Sequence, residues 1–296
     1  MSAAADFASG APFAIHGPER ALSPLVFNSP HSGRSYPARF RAQSRLDDIA
    51  IRRSEDAYVD ELFAGACDSG ASLLVAHFPR AYVDVNREAN ELDPRLFAET
   101  LPAQANSRTP RVAGGLGVIP RIVGEGVDIY PGRLALAEAH ARIEACYRPY
   151  HAALRRLVAS AHDAFGAALL IDCHSMPGNI RVAAEAFRPD IVVGDRFGRA
   201  ASREVSEAAI ASLSAMGYRV AHNKPYAGGF ITEHYGRPAR NVHAVQIEIS
   251  RALYLDERRI EKSDGFNGLQ ADMARFAGEM TALAASLGQP AQWAAE

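Results

Sequence analysis

Two histidines follow apolar runs of the sequence, at places where a strand ends and chemistry is commonly done. His31 lies in a Pro-His-Ser-Gly turn after the apolar run 24–29, and His174 lies in Asp-Cys-His-Ser at the end of the run that starts at Ala167. Each imidazole can ligate a metal ion or act as a base, although one such histidine taken alone is more often an ordinary loop residue. Reactive groups at the end of a buried strand are costly to bury unless they are used. We therefore interpret His174 as a metal ligand and its neighbour Asp172 as the partner that orients it.

A carboxylate is needed to complete such a site, and the acidic pair Glu55-Asp56 offers one. Two histidines and one carboxylate, with an open position for water, form a ligand set of catalytic zinc sites. The spacing of apolar residues over 54–68 predicts a helix that begins at this pair, with Asp60 on the same face as Asp56. Acidic residues in a first turn also simply complement the helix dipole. The residues alone leave the choice between Glu55 and Asp56 open.

The segment Asp84-Val85-Asn86-Arg87 has the composition of a clamp for an anionic substrate. It follows the short predicted strand 81–85. Arginine offers a planar fork to a carboxylate, and asparagine adds neutral donors. A loop ion pair between Asp84 and Arg87 is the alternative interpretation.

Glu248 is the candidate general base. It lies in the alternating run 243–249, which predicts a strand. A carboxyl whose pKa is raised by its site is suited to proton transfer, whereas the solvent face of an edge strand would explain the same alternation without a function.

The pair Gly228-Gly229 precedes an apolar run through Thr232, also predicted as a strand, and lets the backbone approach a ligand closely.

Strands and helices alternate along the chain, which is typical of an α/β fold with a central mixed, mostly parallel sheet flanked by helices. We expect an irregular arm over residues 1–22, a single domain over 23–290, and within it a long irregular segment, 88–133, of the kind that forms lids or binding loops. Ligands of such sheets bind at the carboxyl ends of the strands, so the candidate residues should meet there. The predicted elements are the strands 24–29, 72–78, 81–85, 167–172, 191–194, 218–222 and 243–249, and the helices 54–68, 134–165 with an interruption at Pro149, 199–216 and 256–287.

Composition limits the classes of protein that fit. The apolar fraction of 48% and the charged fraction of 22% are typical of a globular protein. The length of 296 residues corresponds to one large domain or at most two. The formal net charge of -2 excludes the basic surplus of a nucleic-acid binder. Three scattered cysteines indicate no disulfide framework and fit a reducing cytoplasm, and neither a signal peptide nor a membrane span is recognised. We expect a cytoplasmic protein without nucleic-acid or membrane partners and leave its oligomeric state open.

Six segments, taken together and in this order, resemble the N-formylglutamate amidohydrolase family. The resemblance spans residues 25 to 257, and the combination of PHSG, DxNR, DCHS and GGxIT is specific to that family. It implies a single α/β domain related to zinc carboxypeptidases and aspartoacylase. The segments are NSPHSGRSYP (28–37), SEDAYVDELF (54–63), RAYVDVNR (80–87), IDCHSMPG (171–178), NKPYAGGFITEHYG (223–236) and VQIEISRALYLDE (245–257).

The resemblance also implies a site and a reaction. Position 34 is arginine, so the short HxxE pair of carboxypeptidases is absent, and the family pattern favours Asp56 over Glu55 as the carboxylate ligand beside His31 and His174. A zinc ion there, or another divalent metal, lowers the pKa of a bound water toward ~7, Glu248 acts as its base, and zinc with an arginine stabilises the oxyanion. The products are formate and L-glutamate, as in histidine catabolism. The implied substrate-binding residues are Asn86, Arg87, Arg80, Arg133, Gly229, Thr232 and Arg237.

Three other functions stay open at this point. The nearest is the same hydrolysis on another N-acyl amino acid or a small peptide, because the family resemblance implies the chemistry more firmly than the substrate. The second is a non-catalytic metal- or ligand-binding relative. The third and weakest is a cysteine hydrolase that uses Cys173, since adjacent strand residues such as Cys173 and His174 point to opposite faces and do not readily pair.

Overall fold

A central seven-stranded sheet with helices on both faces organises the chain. The computed structural model describes residues 10–18, 20–180 and 188–288. The strands in these ranges are β1 (Phe13–His16), β2 (Leu25–Ser29), β3 (Ser72–Ala76), β4 (Ile122–Val123), β5 (Val127–Asp128), β6 (Ala168–Met176), β7 (Ile191–Gly194), β8 (Val220–His222), β9 (Val242–Ser250), β10 (Leu255–Asp256) and β11 (Glu261–Lys262). The helices are α1 (Ala38–Gln43), α2 (Val59–Leu62), α3 (Pro110–Ala113), α4 (Leu136–Arg142), α5 (Arg148–Phe165), α6 (Arg203–Ala215), α7 (Phe230–Tyr235) and α8 (Phe266–Leu287).

The sheet has the strand order β1-β3-β2-β6-β9-β7-β8 and is mostly parallel. Strands β3, β2, β6 and β9 run parallel to one another, whereas β1 and β7 are antiparallel to β3 and β9. The small pairs β4-β5 and β10-β11 lie outside it. Strands β6 and β9 pair over nine positions and are buried almost throughout, as expected for strands covered on both faces. The predicted α/β class with a mixed, mostly parallel sheet is confirmed.

Alternation along β6 and β9 separates two apolar layers. Leu170 and Ala244 face one layer, in which they pack with Leu154 of α5. Their neighbours Ile171 and Val245 face the other layer, with α6 and α8. Since successive strand residues point to opposite faces, the polar residues two and four positions after Leu170 fall on the first face, the one that α5 covers.

The predicted helix over 54–68 is wrong in its first turn. The α-helix spans only Val59–Leu62, and a 3₁₀ turn follows it. The backbone N–H of Asp56 donates to the carbonyl oxygen of His31 at 3.0 Å, and Tyr58 takes a left-handed φ of 63°. A hydrogen bond to a segment distant in sequence therefore replaces the first helical turn, and Asp56 lies outside the helix instead of on one face with Asp60.

Two predicted strands are also wrong. Residues 81–85 form buried turns, because their backbone bonds to other segments instead of a strand, as the N–H of Asp84 does to Val118 O at 2.8 Å. The run after Gly229 forms α7, a short helix and not a strand.

The predicted interruption of the helix over 134–165 is a π-helical turn. It spans Ile143–Tyr147, between α4 and α5, and directly precedes Pro149 in the first turn of α5. A proline has no N–H to donate and crowds the preceding turn. The irregular segment 88–133 contains only α3, β4, β5 and the 3₁₀ turn Gly124–Gly126, and several of its apolar side chains are part of the core, so it forms a packed wall.

The ends of the chain differ from the expectation as well. Within the predicted irregular arm, Phe13–His16 form an edge strand on β3, while residues 1–9 and 19 lie outside the described part. The last helix begins at Phe266 and not at 256, because the short pair β10-β11 precedes it. Across the ranges that the structure describes, no helix is long and apolar enough to cross a membrane.

Candidate metal centre and active site

Three side chains from separate segments meet at the carboxyl end of the sheet. His31 follows β2, Asp56 precedes α2, and His174 lies in β6. Asp56 Oδ2 is 3.3 Å from His31 Nδ1 and 3.0 Å from His174 Nδ1. All three side chains are at most 3% exposed, and each offers a ligand atom within 4.8 Å of the other two.

The outer nitrogen of each histidine faces a second buried carboxylate. His31 Nε2 is 2.8 Å from Asp84 Oδ1, and His174 Nε2 is 3.1 Å from Asp172 Oδ2. A histidine that donates its Nε2–H to a carboxylate leaves Nδ1 as a lone-pair donor, and this arrangement orients metal-binding histidines. The partner of His174 is the one expected from the sequence, whereas Asp84, interpreted there as part of a substrate clamp, is the partner of His31.

Asp56 presents one oxygen to the histidines because its other oxygen is held. Asp56 Oδ1 accepts from Ser175 Oγ at 3.2 Å and from Arg251 Nη2 at 3.1 Å. Burial alone raises the pKa of Asp56, but the neighbouring imidazoles of His174 and His31 hold that pKa well below the usual range. Asp56 is therefore an ionised, oriented carboxylate.

Glu55, the alternative ligand, points away from the histidines. Its carboxylate accepts from Tyr36 Oη at 2.5 Å and forms an ion pair with Arg52 at 3.0 Å. Burial raises the pKa of Glu55. Because its oxygens bind Tyr36 and Arg52, Glu55 does not belong to the group formed by His31, Asp56 and His174.

The donor set fits a divalent metal ion. His31 Nδ1 is buried and has no hydrogen-bond partner among the described residues, although such atoms are costly to leave unsatisfied. Burial lowers the pKa of His174, but the carboxylates of Asp172 and Asp56 outweigh this and raise it well above the usual value. The surroundings therefore favour positive charge, and two imidazole nitrogens with one carboxylate oxygen match catalytic zinc sites.

Glu248 lies on β9 directly beside His174 on β6. Its Oε1 accepts from Gln246 Nε2 at 2.8 Å, and the side-chain oxygen Oε1 of Gln246 accepts from the N–H of Gly229 at 2.7 Å. Burial raises the pKa of Glu248 to about 7. Strand β9 lies between β6 and β7, so Glu248 faces the interior and not the solvent side of an edge strand.

A cavity of about 610 Å³ opens over this group and is rich in arginine. His31, Asp56, His174 and Glu248 form part of its wall. Of the residues expected at the substrate, Arg80, Asn86, Arg87 and Gly229 also line it. The arginines in the wall are Arg53, Arg80, Arg87, Arg111, Arg196 and Arg251.

The structure does not bring the other three expected substrate residues to the cavity wall. Arg133 and Arg237 are exposed on the outer surface, and the guanidinium of Arg237 binds the carbonyl oxygens of Glu233 and Gly236. Thr232 is fully buried behind the wall, where its Oγ1 is 3.5 Å from Asp172 Oδ2. Exposure of an arginine is a tertiary property that the sequence does not display.

Four arginines of the wall, Arg53, Arg111, Arg196 and Arg251, were not proposed as site residues from the sequence. Arg111 lies on α3, where it is half-buried, and it makes no ion pair or side-chain hydrogen bond within the described ranges. Arg196 follows β7 with a left-handed φ of 57° and pairs with Glu233 at 2.5 Å. One feature of the sequence could have identified Arg111. It lies in the long segment 88–133, which was expected to bind or cover a ligand.

Cys173 does not belong to this site. Its side chain is fully buried in the apolar layer on the opposite face from His174, and burial raises the pKa of the thiol well above its usual value. A neutral thiol away from the cavity wall has no access to a substrate, so the interpretation as a cysteine hydrolase is wrong.

Comparisons with known proteins show which family this chain is similar to. The family model for N-formylglutamate amidohydrolase matches residues 23–255. The N-formylglutamate deformylase of Pseudomonas putida is 30% identical over 79% of this chain and 82% of its own, and that of Pseudomonas aeruginosa is 29% identical over 81% and 85%. The crystal structure of an N-formylglutamate amidohydrolase from Ralstonia eutropha JMP134 superimposes with a TM-score of 0.86 at 36% identity, covering 92% of this chain and 98% of that one.

Proposed function

Because the chain belongs to the N-formylglutamate amidohydrolase family, we propose that it hydrolyses the formyl amide of N-formyl-L-glutamate. One water is consumed, and the products are formate and L-glutamate. The observation that carries the proposal is the single Asp56 oxygen faced by Nδ1 of both His31 and His174, in one arginine-rich cavity with Glu248. The sequence relatives bear the name of this activity.

His31, Asp56 and His174 are the proposed metal ligands, and zinc is the proposed ion. The unpartnered Nδ1 of His31 and the two histidine–carboxylate pairs support this assignment. A zinc ion held there polarises a carbonyl and favours the ionisation of water. The chain itself contributes the ligand orientation, which Asp84 and Asp172 set from behind the histidines.

Glu248 is the proposed general base and acid. Its pKa of about 7 lets the carboxylate accept a proton from the attacking water and then return it to the departing amine near neutral pH. The bond between the formyl carbon and the amide nitrogen breaks in the second step. Gln246 holds one oxygen of Glu248, which leaves the other oxygen for the proton.

Arginines of the wall are proposed to hold the two carboxylates of the substrate. Arg87 is positioned by its bonds to the carbonyl oxygens of Leu116 at 2.8 Å and Asn86 at 2.7 Å, and burial lowers its pKa only to about 10, so it stays charged. Arg111 has no carboxylate partner among the described residues and is close enough to Arg87 to affect its pKa. Arg87 and Arg111 together offer two positive charges to the two carboxylates of the substrate.

The test is formate release from N-formyl-L-glutamate by the purified protein. Three samples are compared: zinc-loaded protein, chelated protein, and chelated protein with zinc restored. We expect release that chelation abolishes and zinc restores. No release by folded protein with zinc bound would reject this substrate, and release that resists complete chelation would reject the metal assignment.

A second candidate is the same hydrolysis on another N-acyl amino acid. The cavity of about 610 Å³ is in the range of pockets for drug-sized ligands, so it has space for an acyl group larger than formyl. A panel of N-formyl, N-acetyl and formimino derivatives of glutamate separates the two candidates by kcat/KM. Metal binding without turnover of any of them would instead favour a non-catalytic relative.

A further inference from the structure

A loop over residues 82–87, called the site loop here, carries three side chains of the proposed site without regular secondary structure. Asp84 holds His31, while Asn86 and Arg87 line the cavity. Local backbone bonds in the loop are few, and the N–H of Asp84 donates to Val118 O. A turn of this kind needs outside contacts to keep three functional side chains in place.

Three of those contacts come from one helical stretch, α4 and α5 with the π-helical turn between them. Three buried side chains of this stretch each donate a hydrogen bond to a different carbonyl oxygen of the site loop. The pairs are Arg142 Nη1 with Tyr82 at 3.2 Å, Tyr147 Oη with Arg87 at 2.8 Å, and His151 Nε2 with Val85 at 2.8 Å. Two of the held carbonyls, those of Val85 and Arg87, directly follow the site residues Asp84 and Asn86.

The π-helical turn explains how one helix reaches all three carbonyls. In a regular α-helix, residues five apart such as Arg142 and Tyr147 lie roughly 140° apart around the axis. In the π-helical turn the N–H of Arg148 bonds to Ile143 O, five residues back, which brings residues five apart toward one face. Arg142, Tyr147 and His151 therefore face the site loop together.

The hydrogen-bond pattern of His151 defines its role as a donor. A carbonyl oxygen only accepts, so Nε2 carries the proton toward Val85, and Nδ1 accepts from the Tyr235 hydroxyl at 2.9 Å. The ring is 5% exposed and lies 4.3 Å from the Tyr147 ring, centroid to centroid. Neither side chain lines the cavity, so neither touches a substrate.

We propose that Tyr147 and His151 are positioning residues that hold the site loop, and through it Asp84, Asn86 and Arg87, in the geometry that the reaction needs. This inference rests on the proposed function for its kinetic readout. Tyr147 holds the carbonyl of Arg87 and so acts on substrate binding. His151 holds the carbonyl next to Asp84 and so acts on the orientation of His31 as well.

The experiment compares Tyr147→Phe, His151→Leu and His151→Gln with the wild-type protein. We expect Tyr147→Phe to raise KM for N-formyl-L-glutamate about tenfold, with kcat and zinc affinity changed less than about twofold. We expect His151→Leu to weaken zinc binding about tenfold and also to raise KM. Glutamine keeps a donor and an acceptor, so His151→Gln should restore most of both losses.

Amide hydrogen exchange supplies a readout that requires no substrate. Exchange of the peptide covering residues 82–87 should accelerate in Tyr147→Phe and His151→Leu, while peptides of β6 should not change. Tyr218→Phe is the matched control, because it removes a tyrosine hydroxyl that bonds to Asp272, outside the site. It should leave KM, zinc affinity and exchange of the site loop unchanged.

Two results would overturn the proposal. One is unchanged KM and zinc affinity in Tyr147→Phe and His151→Leu, and the other is unchanged exchange of residues 82–87 in both. Absence of N-formylglutamate turnover by the wild-type protein would reject the proposed function instead, and zinc affinity and exchange would still decide whether these two residues hold the loop.

Discussion

His31 and His174 point their Nδ1 atoms at the same oxygen of Asp56, from 3.3 and 3.0 Å. The two rings are 4.8 Å apart between centroids. Each ring is fixed from behind by its own carboxylate, Asp84 or Asp172. A site with this arrangement is organised before a metal ion arrives, because the orientation depends on contacts within the chain.

The first prediction concerns Asp84. The substitution Asp84→Asn removes the negative charge behind His31 and should weaken zinc binding about tenfold to a hundredfold. Competition with a chelating dye measures the affinity. Asp195→Asn is the matched control, because Asp195 is also a buried aspartate, 3.1 Å from the ring nitrogen of His222, but outside the metal group. Equal zinc affinity in Asp84→Asn and the wild-type protein would contradict the role given to Asp84.

The second prediction concerns Glu248. Glu248→Gln keeps the shape of the side chain but cannot take a proton, so kcat should fall roughly a thousandfold while zinc content stays at the wild-type level. Formate release and metal analysis measure the two quantities. Glu261→Gln, a change at an exposed carboxylate of β11, should leave both unchanged. Turnover of Glu248→Gln near the wild-type rate would remove Glu248 from the mechanism.

The third prediction concerns recognition of the substrate's side-chain carboxylate. Arg111→Gln should raise KM for N-formyl-L-glutamate about tenfold to a hundredfold, because hydrogen bonds to charged groups are worth about 1.5–3 kcal/mol. The KM for N-formyl-L-glutamine, which lacks that carboxylate, should change much less. Arg133→Gln, at an exposed arginine outside the cavity, should affect neither substrate. A loss of similar size for both substrates would show that Arg111 does not bind the side-chain carboxylate.

The fourth prediction is a pH dependence of stability that comes from His151. Burial lowers the pKa of His151 to about 4 in the folded protein, from 6.5. The unfolded chain then binds the proton more tightly, so stability that is present above pH 6.5 is lost as the pH falls toward 4, by about 3 kcal/mol. His151→Gln cannot titrate. The free energy of unfolding of the wild-type protein and of the variant is measured with denaturant at several pH values. Between pH 7.5 and pH 4, the wild-type protein should lose about 3 kcal/mol more of this free energy than the variant does. A difference that does not vary with pH would contradict burial of a neutral ring.

Much of the sheet was predictable because buried strands show as short apolar runs. The predicted strands that became β2, β3 and β9 agree with the structure to within two residues at each end, whereas β6 continues beyond its predicted end at residue 172 as far as Met176. The failures share a cause, since residues 54–58, 81–85 and 230–235 form hydrogen bonds or packing contacts with segments far away in the chain. Local spacing does not contain those contacts, and they outweigh local propensity.

Residue types and order along the chain determined the class of sheet and indicated which polar groups lie at or near the carboxyl ends of its strands, including His31, His174 and Glu248. Those properties are local, because each depends on a run of neighbours and on the strand that precedes the residue. Only the tertiary structure decided that Asp56 and not Glu55 faces both histidines, that Asp84 holds His31, and that Arg111 reaches the cavity while Arg133 does not. Each of these depends on the direction of a side chain, and that direction is set by hydrogen bonds and packing between segments that lie far apart in sequence.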